Sequence, residues 1–232
     1  MSRIVIITGT SKGIGRELAQ HYLEKGDIVV GCSRSDCSIE HYNYKHYQLD
    51  VTDESLVTKM VREVFEKYGQ IHVLINNAGI AGMNHFILTP YETAKKIINT
   101  NYMGTFLFVR EVGKIMMRKK FGRIINFSTV AVAHNLEGEA VYASSKAAIE
   151  SITKVVAKEL GSYGITVNAV GPTPIETDLI KNVSKDKIQS LIDMQAVKRL
   201  ADFDDIANVL DFYADERSGF VTGQVLYLGG VM

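Results

Sequence analysis

Cysteine is scarce in this 232-residue chain: only Cys32 and Cys37 occur. Their spacing fits neither a CxxC motif nor a disulfide framework, so a reducing compartment is the simpler reading and a cytoplasmic location is expected. Long apolar runs are missing too. The run from Ile4 to Ile7 is too short for a signal sequence or a membrane span. Net charge is zero, with 26 Lys and Arg against 26 Asp and Glu. That excludes bulk attraction to nucleic acid or an anionic membrane, although a local basic pocket stays open. The six histidines are scattered without metal-ligand spacing, so no metal site is expected. Only three prolines occur, and two of them share the tripeptide Pro172-Thr173-Pro174. No repeat, linker or low-complexity tract interrupts the chain. With 46% hydrophobic and 22% charged residues, residues 1–232 are expected to form one α/β domain around a single core.

The order of elements predicts the fold class. Residues 3–8 are a β-branched run of the buried-strand type. A turn, Gly9-Thr10-Ser11-Lys12-Gly13-Ile14-Gly15, opens a helical pattern through Leu18, Ala19, Tyr22 and Leu23, closed by Gly26. Further strands are expected at 27–33, 47–49, 73–75, 122–129, 165–170 and 224–228. A helix capped by Thr52 or Asp53 carries a stripe of Leu56, Met60, Val61, Val64 and Phe65 and stops at Gly69. One long helix is expected through Ile97 to Met116, one from Tyr142 to Gly161, and one near 204–213. This alternation predicts a Rossmann-type, doubly wound parallel sheet of about seven strands with helices on both faces. Ligands of such sheets bind at the carboxyl ends of the strands, where the unusual sequences fall.

Two of those stretches carry chemistry. Backbone N–H groups at a glycine-rich helix start can bind a pyrophosphate. The spacing here is G-x-x-x-G-x-G, and Leu18 stands where the commoner fingerprint has its third glycine. The second strand ends in Ser33-Arg34, with no carboxylate before Asp36. An acidic residue there would accept from a ribose 2′-hydroxyl, whereas the Arg34 fork suits a 2′-phosphate and Lys12 can add a second charge. NADP(H) is therefore favoured, the alternative being that Arg34 and Lys12 are ordinary loop charges. Further on, Tyr142 and Lys146 stand four apart at the start of a helix and project from one face. A nearby ammonium favours a phenolate, and a cationic ring on a bound cofactor lowers the phenol's pKa further. Such a pair can act as a general acid/base, though alone it also fits a solvated helix face.

Taken together, these pieces resemble the short-chain dehydrogenase/reductase family over essentially the whole chain. They are Thr8 to Gly15, Asp50-Val51, Asn76-Asn77-Ala78-Gly79, Asn101, Tyr142-x-x-x-Lys146, Asn168-Ala169-Val170-Gly171-Pro172, and Thr222-Gly223 ahead of Gly229-Gly230. Within the family the chain looks like 3-oxoacyl-[acyl-carrier-protein] reductases and similar bacterial ketoreductases. The resemblance implies that Gly9, Ser11, Lys12, Gly13, Ile14, Gly15, Ser33 and Arg34 surround the phosphates and adenosine ribose. It implies that Asp50 and Val51 meet the adenine, and that Asn76, Ala78 and Gly79 line the cofactor channel. Pro172, the Ile175 backbone and Thr177 are implied to hold the nicotinamide carboxamide and phosphate. Tyr142 would protonate the carbonyl oxygen, Lys146 would bond the ribose and depress the phenol's pKa, and Asn101 would support a water relay.

The chain departs from the family pattern twice. Counting thirteen residues back from Tyr142, where the family has a serine, reaches Thr129 rather than Ser128. A threonine hydroxyl can still donate to a substrate oxygen, with added bulk and a restricted χ1. Pro172-Thr173-Pro174 replaces the usual Pro-Gly and stiffens the loop over the nicotinamide. His134, Asn135, Leu136 and Glu137 are expected to border the substrate, with Met194 in a lid around 178–200. The expected activity is NADP(H)-dependent hydride transfer to a ketone or from a secondary alcohol. The substrate is a small carbonyl compound or an acyl-carrier-protein thioester. A sugar-derived or secondary-metabolite ketone, or a non-catalytic NADP-sensing scaffold, are the alternatives. Pairing of the Asn101 and Tyr142 helices between subunits would make a homotetramer or homodimer.

Overall fold

A β-branched run at the start of the chain becomes the strand from which the sheet grows. β1 (Ile4–Thr8) is buried along its full length. It pairs in parallel with β2 (Ile28–Ser33) on one side and β4 (Val73–Asn76) on the other. The computed structural model describes residues 2–175 and 185–230; Thr177 and 178–184 of the expected lid lie outside them. β3 (Tyr44–Gln48), β5 (Gly122–Phe127), β6 (Ile165–Gly171) and β7 (Val225–Tyr227) complete a seven-stranded parallel sheet of order 3-2-1-4-5-6-7. This is the predicted doubly wound architecture, with the order reversing between β1 and β4.

Period-two alternation along the strands sorts the core into two layers. Ile4 and Ile6 of β1 pack with α2 (Glu54–Tyr68) and α4 (Gly104–Lys119), through Met60, Val64, Phe108, Val112 and Met116. Val5 and Ile7 face the other way, onto Leu18, Ala19 and Tyr22 of α1 (Gly13–Glu24) and Leu210 and Tyr213 of α8 (Phe203–Ala214). Leu18 is fully buried, so the side chain in the third-glycine position fills the helix–sheet interface. The remaining helices are α3 (Tyr91–Ile98), α5 (Val130–His134), α6 (Ala140–Leu160) and α7 (Lys185–Met194).

Local chemistry accounts for most boundaries. Asp53, not Thr52, caps α2 by accepting from Leu56 N, and Gly69 ends it at φ 72°. Val57 rather than Leu56 completes the buried stripe, and Leu56 is 40% exposed. α6 ends at Leu160 with Gly161 as its cap, as expected, but the φ of −57° there is not left-handed; a short 3₁₀ turn follows, and Gly164 at φ 72° makes the left-handed exit. The long helix through Asn101 is continuous but irregular. Between α3 and α4, Asn99–Met103 takes the π form, with Gly104 N bonded to Asn99 O five residues back.

Glycine is needed at Gly31, inside β2. A Cβ there would lie 2.3 Å from both Thr10 Oγ1 and Tyr44 Oη. Gly31→Ala is expected to destabilise the fold by about 1–3 kcal/mol through overpacking. A thermal melt that leaves the midpoint unchanged would refute this.

Candidate active site

Two adjoining cavities open at the carboxyl edge of the sheet. The first, about 390 Å³, is lined by Gly9, Ser11, Lys12, Gly13, Ile14 and Gly15 of the glycine turn. Ser33, Arg34 and Ser35 after β2, Asp50 and Val51 after β3, and Asn77, Ala78 and Gly79 after β4 complete it. The turn is tight. Gly9 has φ +80°, and a Cβ on Gly15 would lie 2.3 Å from Gly9 O and 2.4 Å from Asn77 Nδ2. Lys12, the N-cap of α1, forms no side-chain cap. The first-turn amides are therefore not taken by a capping side chain, and nothing lies within 4 Å of a Cβ built on Gly13. Uncapped amides and two cations, Lys12 and Arg34, fit a phosphorylated dinucleotide.

The second cavity, about 350 Å³, holds the reactive side chains. α6 presents Tyr142 and Lys146, and the end of β5 presents Thr129. The Thr129 hydroxyl stands near enough to the Tyr142 phenol to lower its pKa, and it accepts from Ala131 N at 3.3 Å. The neighbouring Ser128 is buried and donates its hydroxyl to Glu150, which also accepts from Tyr227 Oη at 2.5 Å. Apolar walls come from Ile80, Ala81, Met83, Val130, Leu136, Leu191 and Met194, among others. Glu137 and Glu139 also line the cavity. Ile14, Asn77, Gly79 and Ile80 border both cavities, so the two form one trough.

Asn101 sits behind Lys146. Its amide accepts from Ile80 N at 2.8 Å and donates to Ile80 O and Ser145 Oγ, each at 2.9 Å. Ser145 Oγ in turn donates to Tyr142 O at 2.7 Å. The irregular helix is thus pinned to the turn of α6 that carries both reactive side chains. A Cβ on Gly79 would fall 3.3 Å from Asn101 Oδ1 and 3.5 Å from Lys146 Nζ. Gly79 therefore lies in close contact with both groups.

A family profile described as enoyl-(acyl carrier protein) reductase matches residues 9–231. The 3-oxoacyl-[acyl-carrier-protein] reductase FabG of Escherichia coli K12 is 34% identical over 236 residues, which cover 99% of this chain and 97% of that protein. The chain belongs to the short-chain dehydrogenase/reductase family. Among solved structures of this family, ElxO with NADP bound superposes with a TM-score of 0.91 at 32% identity, over 98% of this chain and 97% of ElxO. The ligand-free aldohexose dehydrogenase of Thermoplasma acidophilum gives 0.90 at 28% identity, over 99% and 94% of the two chains.

Against this family's pattern, most of the expected residues converge on the trough, including Pro172 and Ile175 beside the second cavity. Asn76 does not. As the last residue of β4 it points into the sheet, where its Nδ2 donates to Asn126 Oδ1 at 2.8 Å, and it lines neither cavity. Its neighbour Asn77 lines both and donates to Thr8 O at 2.9 Å. Strand alternation carries the signal for this correction: adjacent asparagines at a strand end face opposite ways. His134 ends α5 and, with Asn135 in a left-handed cap at φ 50°, stays out of the cavity lining, while Leu136 and Glu137 enter it. α7 brings Ile188, Leu191 and Met194 to the cavity wall. Among the described residues no cluster of side chains could hold a metal ion.

The electrostatics of this short-chain dehydrogenase site differ from the simplest expectation. The phenol is pushed up to about 12, chiefly by burial, with the Thr129 hydrogen bond opposing and the Glu139 charge adding. Lys146 does not aim its ammonium at the phenol but donates to Phe127 O at 2.8 Å. Burial drives its pKa down to about 8. Both folded and unfolded chains carry this charge at pH 7, so the fold bears the full cost of burying it. Between about pH 8 and 10.5 the unfolded chain binds more protons and the cost fades. Lys146→Met is therefore expected to raise the thermal midpoint of the protein alone at pH 7, with a smaller gain at pH 10. A lower midpoint at both values would contradict a buried, destabilising charge.

Proposed function

We propose that this protein is an NADP(H)-dependent oxidoreductase that interconverts a ketone and a secondary alcohol. The observation that carries the proposal is that Thr129, Tyr142 and Lys146 line one cavity at the carboxyl edge of the sheet, beside the cavity of the glycine turn. Two hydroxyls facing one cavity can both reach one carbonyl oxygen, the position where negative charge develops during reduction. When bound, the nicotinamide supplies and accepts the hydride. Lys12 and Arg34 would hold its 2′-phosphate end, the α1 amides its pyrophosphate, and Asp50 and Val51 its adenine. Pro172 and Ile175 would meet the nicotinamide. Thr177, outside the described residues, is assigned there by family resemblance alone.

Tyr142 Oη holds the proton for the carbonyl oxygen, and Thr129 Oγ1 orients that oxygen. Lys146 Nζ, released from Phe127 O, is the group that would bond the ribose and lower the barrier to phenol ionisation. Asn101 and Lys146, which meet beside Gly79, would support the route by which a proton is restored. Because the phenol is held up near 12, it is protonated throughout neutral pH. Ketone reduction should then be flat from about pH 6 to 8, and alcohol oxidation should climb with pH. The opposite ordering of the two profiles would exclude Tyr142 as the acid.

For the substrate, a 3-oxoacyl thioester follows from the likeness to FabG, whose name states that chemistry. A polyhydroxylated ketone or aldose is the second reading. It is favoured by Glu137 and Glu139 in the cavity lining, which accept hydrogen bonds from hydroxyls. No helix among the described residues is long and apolar enough to cross a membrane. Assembly as a homodimer or homotetramer is proposed through the helices that carry Asn101 and Tyr142.

The test is NADPH oxidation across β-ketoacyl thioesters, simple ketones and sugar-derived ketones. Tyr142→Phe should keep NADPH binding and lose at least about 10²–10⁴-fold in kcat. Full turnover in that variant, or no turnover on any carbonyl by the wild type, would overturn the reading.

A further inference from the structure

Behind the wall formed by Ser33, Arg34 and Ser35 lies a polar network that none of the roles above uses. Its centre is His46, on the edge strand β3. His46 Nε2 is 3.0 Å from Ser35 O and 3.1 Å from Ser33 Oγ. A carbonyl only accepts, so Nε2 carries the hydrogen and donates to Ser35 O. Ser33 Oγ donates to the same carbonyl at 2.6 Å. Two residues along β3, Gln48 Nε2 donates to Arg34 O at 2.9 Å. The far side of the imidazole faces the glycine turn. Nδ1, left as an acceptor, lies 2.9 Å from Tyr44 Oη and 3.4 Å from Thr10 Oγ1, and the two hydroxyls, 2.9 Å apart, share their two hydrogens between each other and the ring. Thr10 is fully buried between Gly9 and Ser11, two residues before Lys12. Gly31 leaves the space in which these side chains meet.

One imidazole therefore joins the two segments that carry Arg34 and Lys12, both of which face the first cavity. Both cations are exposed, and long exposed side chains lose conformational freedom when a ligand fixes them. Fixing their backbones beforehand reduces that cost. The pyrophosphate end of the site, at Gly13 to Gly15, and the adenine end, at Asp50 and Val51, do not touch the network.

We propose that His46 is a positioning residue that sets the preference for a 2′-phosphorylated dinucleotide, by tying the Ser33–Ser35 turn to the glycine turn so that Arg34 and Lys12 flank one anion. This rests on the NADP(H) reading above and adds to it a residue from a strand that does not border the cavity. Nothing in the local sequence, Tyr44-Lys45-His46-Tyr47, marks His46 apart from packing.

The experiment measures nucleotide affinity without substrate, by calorimetric titration of NADPH and NADH into wild type, His46→Ala, His46→Asn and His46→Gln. The fold is checked by circular dichroism and thermal melting. His46→Ala should weaken NADPH by about tenfold or more and NADH by less than about threefold. Gln places its amide nitrogen near the Nε2 position and should recover most of the NADPH affinity. Asn keeps the side facing Tyr44 but loses Ser35, and should not recover it. Should the alanine variant fail to fold, the Gln and Asn pair makes the same distinction. Equal weakening of both nucleotides, unchanged selectivity, or equal behaviour of Gln and Asn would overturn the role of His46. A wild type that binds NADPH no better than NADH would instead remove the NADP(H) reading, and this inference with it.

Discussion

Two hydrogen bonds between the ends of β1 and β4 hold the whole site in register. Ala78 N donates to Thr8 Oγ1 and Asn77 Nδ2 to Thr8 O, each at 2.9 Å. They lie where the strand order reverses. The chain leaving β1 turns to the face of α1, and the chain leaving β4 turns to the opposite face, so a crevice opens between them. The glycine turn fills one side of that crevice and the approach to Asn101 and Lys146 the other. The glycines follow from the same contact, because a side chain on Gly9 or Gly15 would press on Asn77 Nδ2 at 2.9 or 2.4 Å.

Around this junction the protein spends some stability on chemistry. The ammonium of Lys146 is buried and, among the described residues, donates to one carbonyl, Phe127 O. The phenol beside it is crowded into its neutral form. Two aliphatic layers on a fully parallel sheet supply the compensating burial, and Leu18 contributes to one of them from a position where many dinucleotide folds carry glycine. The same economy appears at Thr129. Its hydroxyl caps α5 and lines the cavity beside the phenol, so the short helix holds that hydroxyl in place.

Much of this was legible in the residues. The alternation of strands and helices, the glycine turn, the Asp53 or Thr52 cap and the Tyr142–Lys146 pair follow from patterns that repeat along the chain or from spacing in one helix, and Thr129 follows from the family resemblance. What stayed hidden depends on contacts remote in sequence. Asn76 and Asn77 look interchangeable until Asn126 is seen opposite the first. Spacing alone puts Lys146 near Tyr142, but only β5, packed behind α6, offers its ammonium the Phe127 carbonyl. His46 is an undistinguished edge-strand residue until two distant turns are seen to close around it. Local pattern thus locates the site, and tertiary neighbours decide which way its groups point.

The π segment at Asn99–Met103 has a consequence for how this helix tolerates change. It amounts to one surplus residue in an otherwise regular helix, placed where Asn101 turns inward. Each residue of an α-helix advances it by about 100°. Deleting one residue within the segment would let the helix close into regular form. Everything on one side would then rotate by that angle, carrying either Asn101 away from Ile80 and Ser145 or Phe108 and Val112 away from the sheet. A substitution keeps this register, but a change of length does not, and homologous chains should align through the segment without gaps.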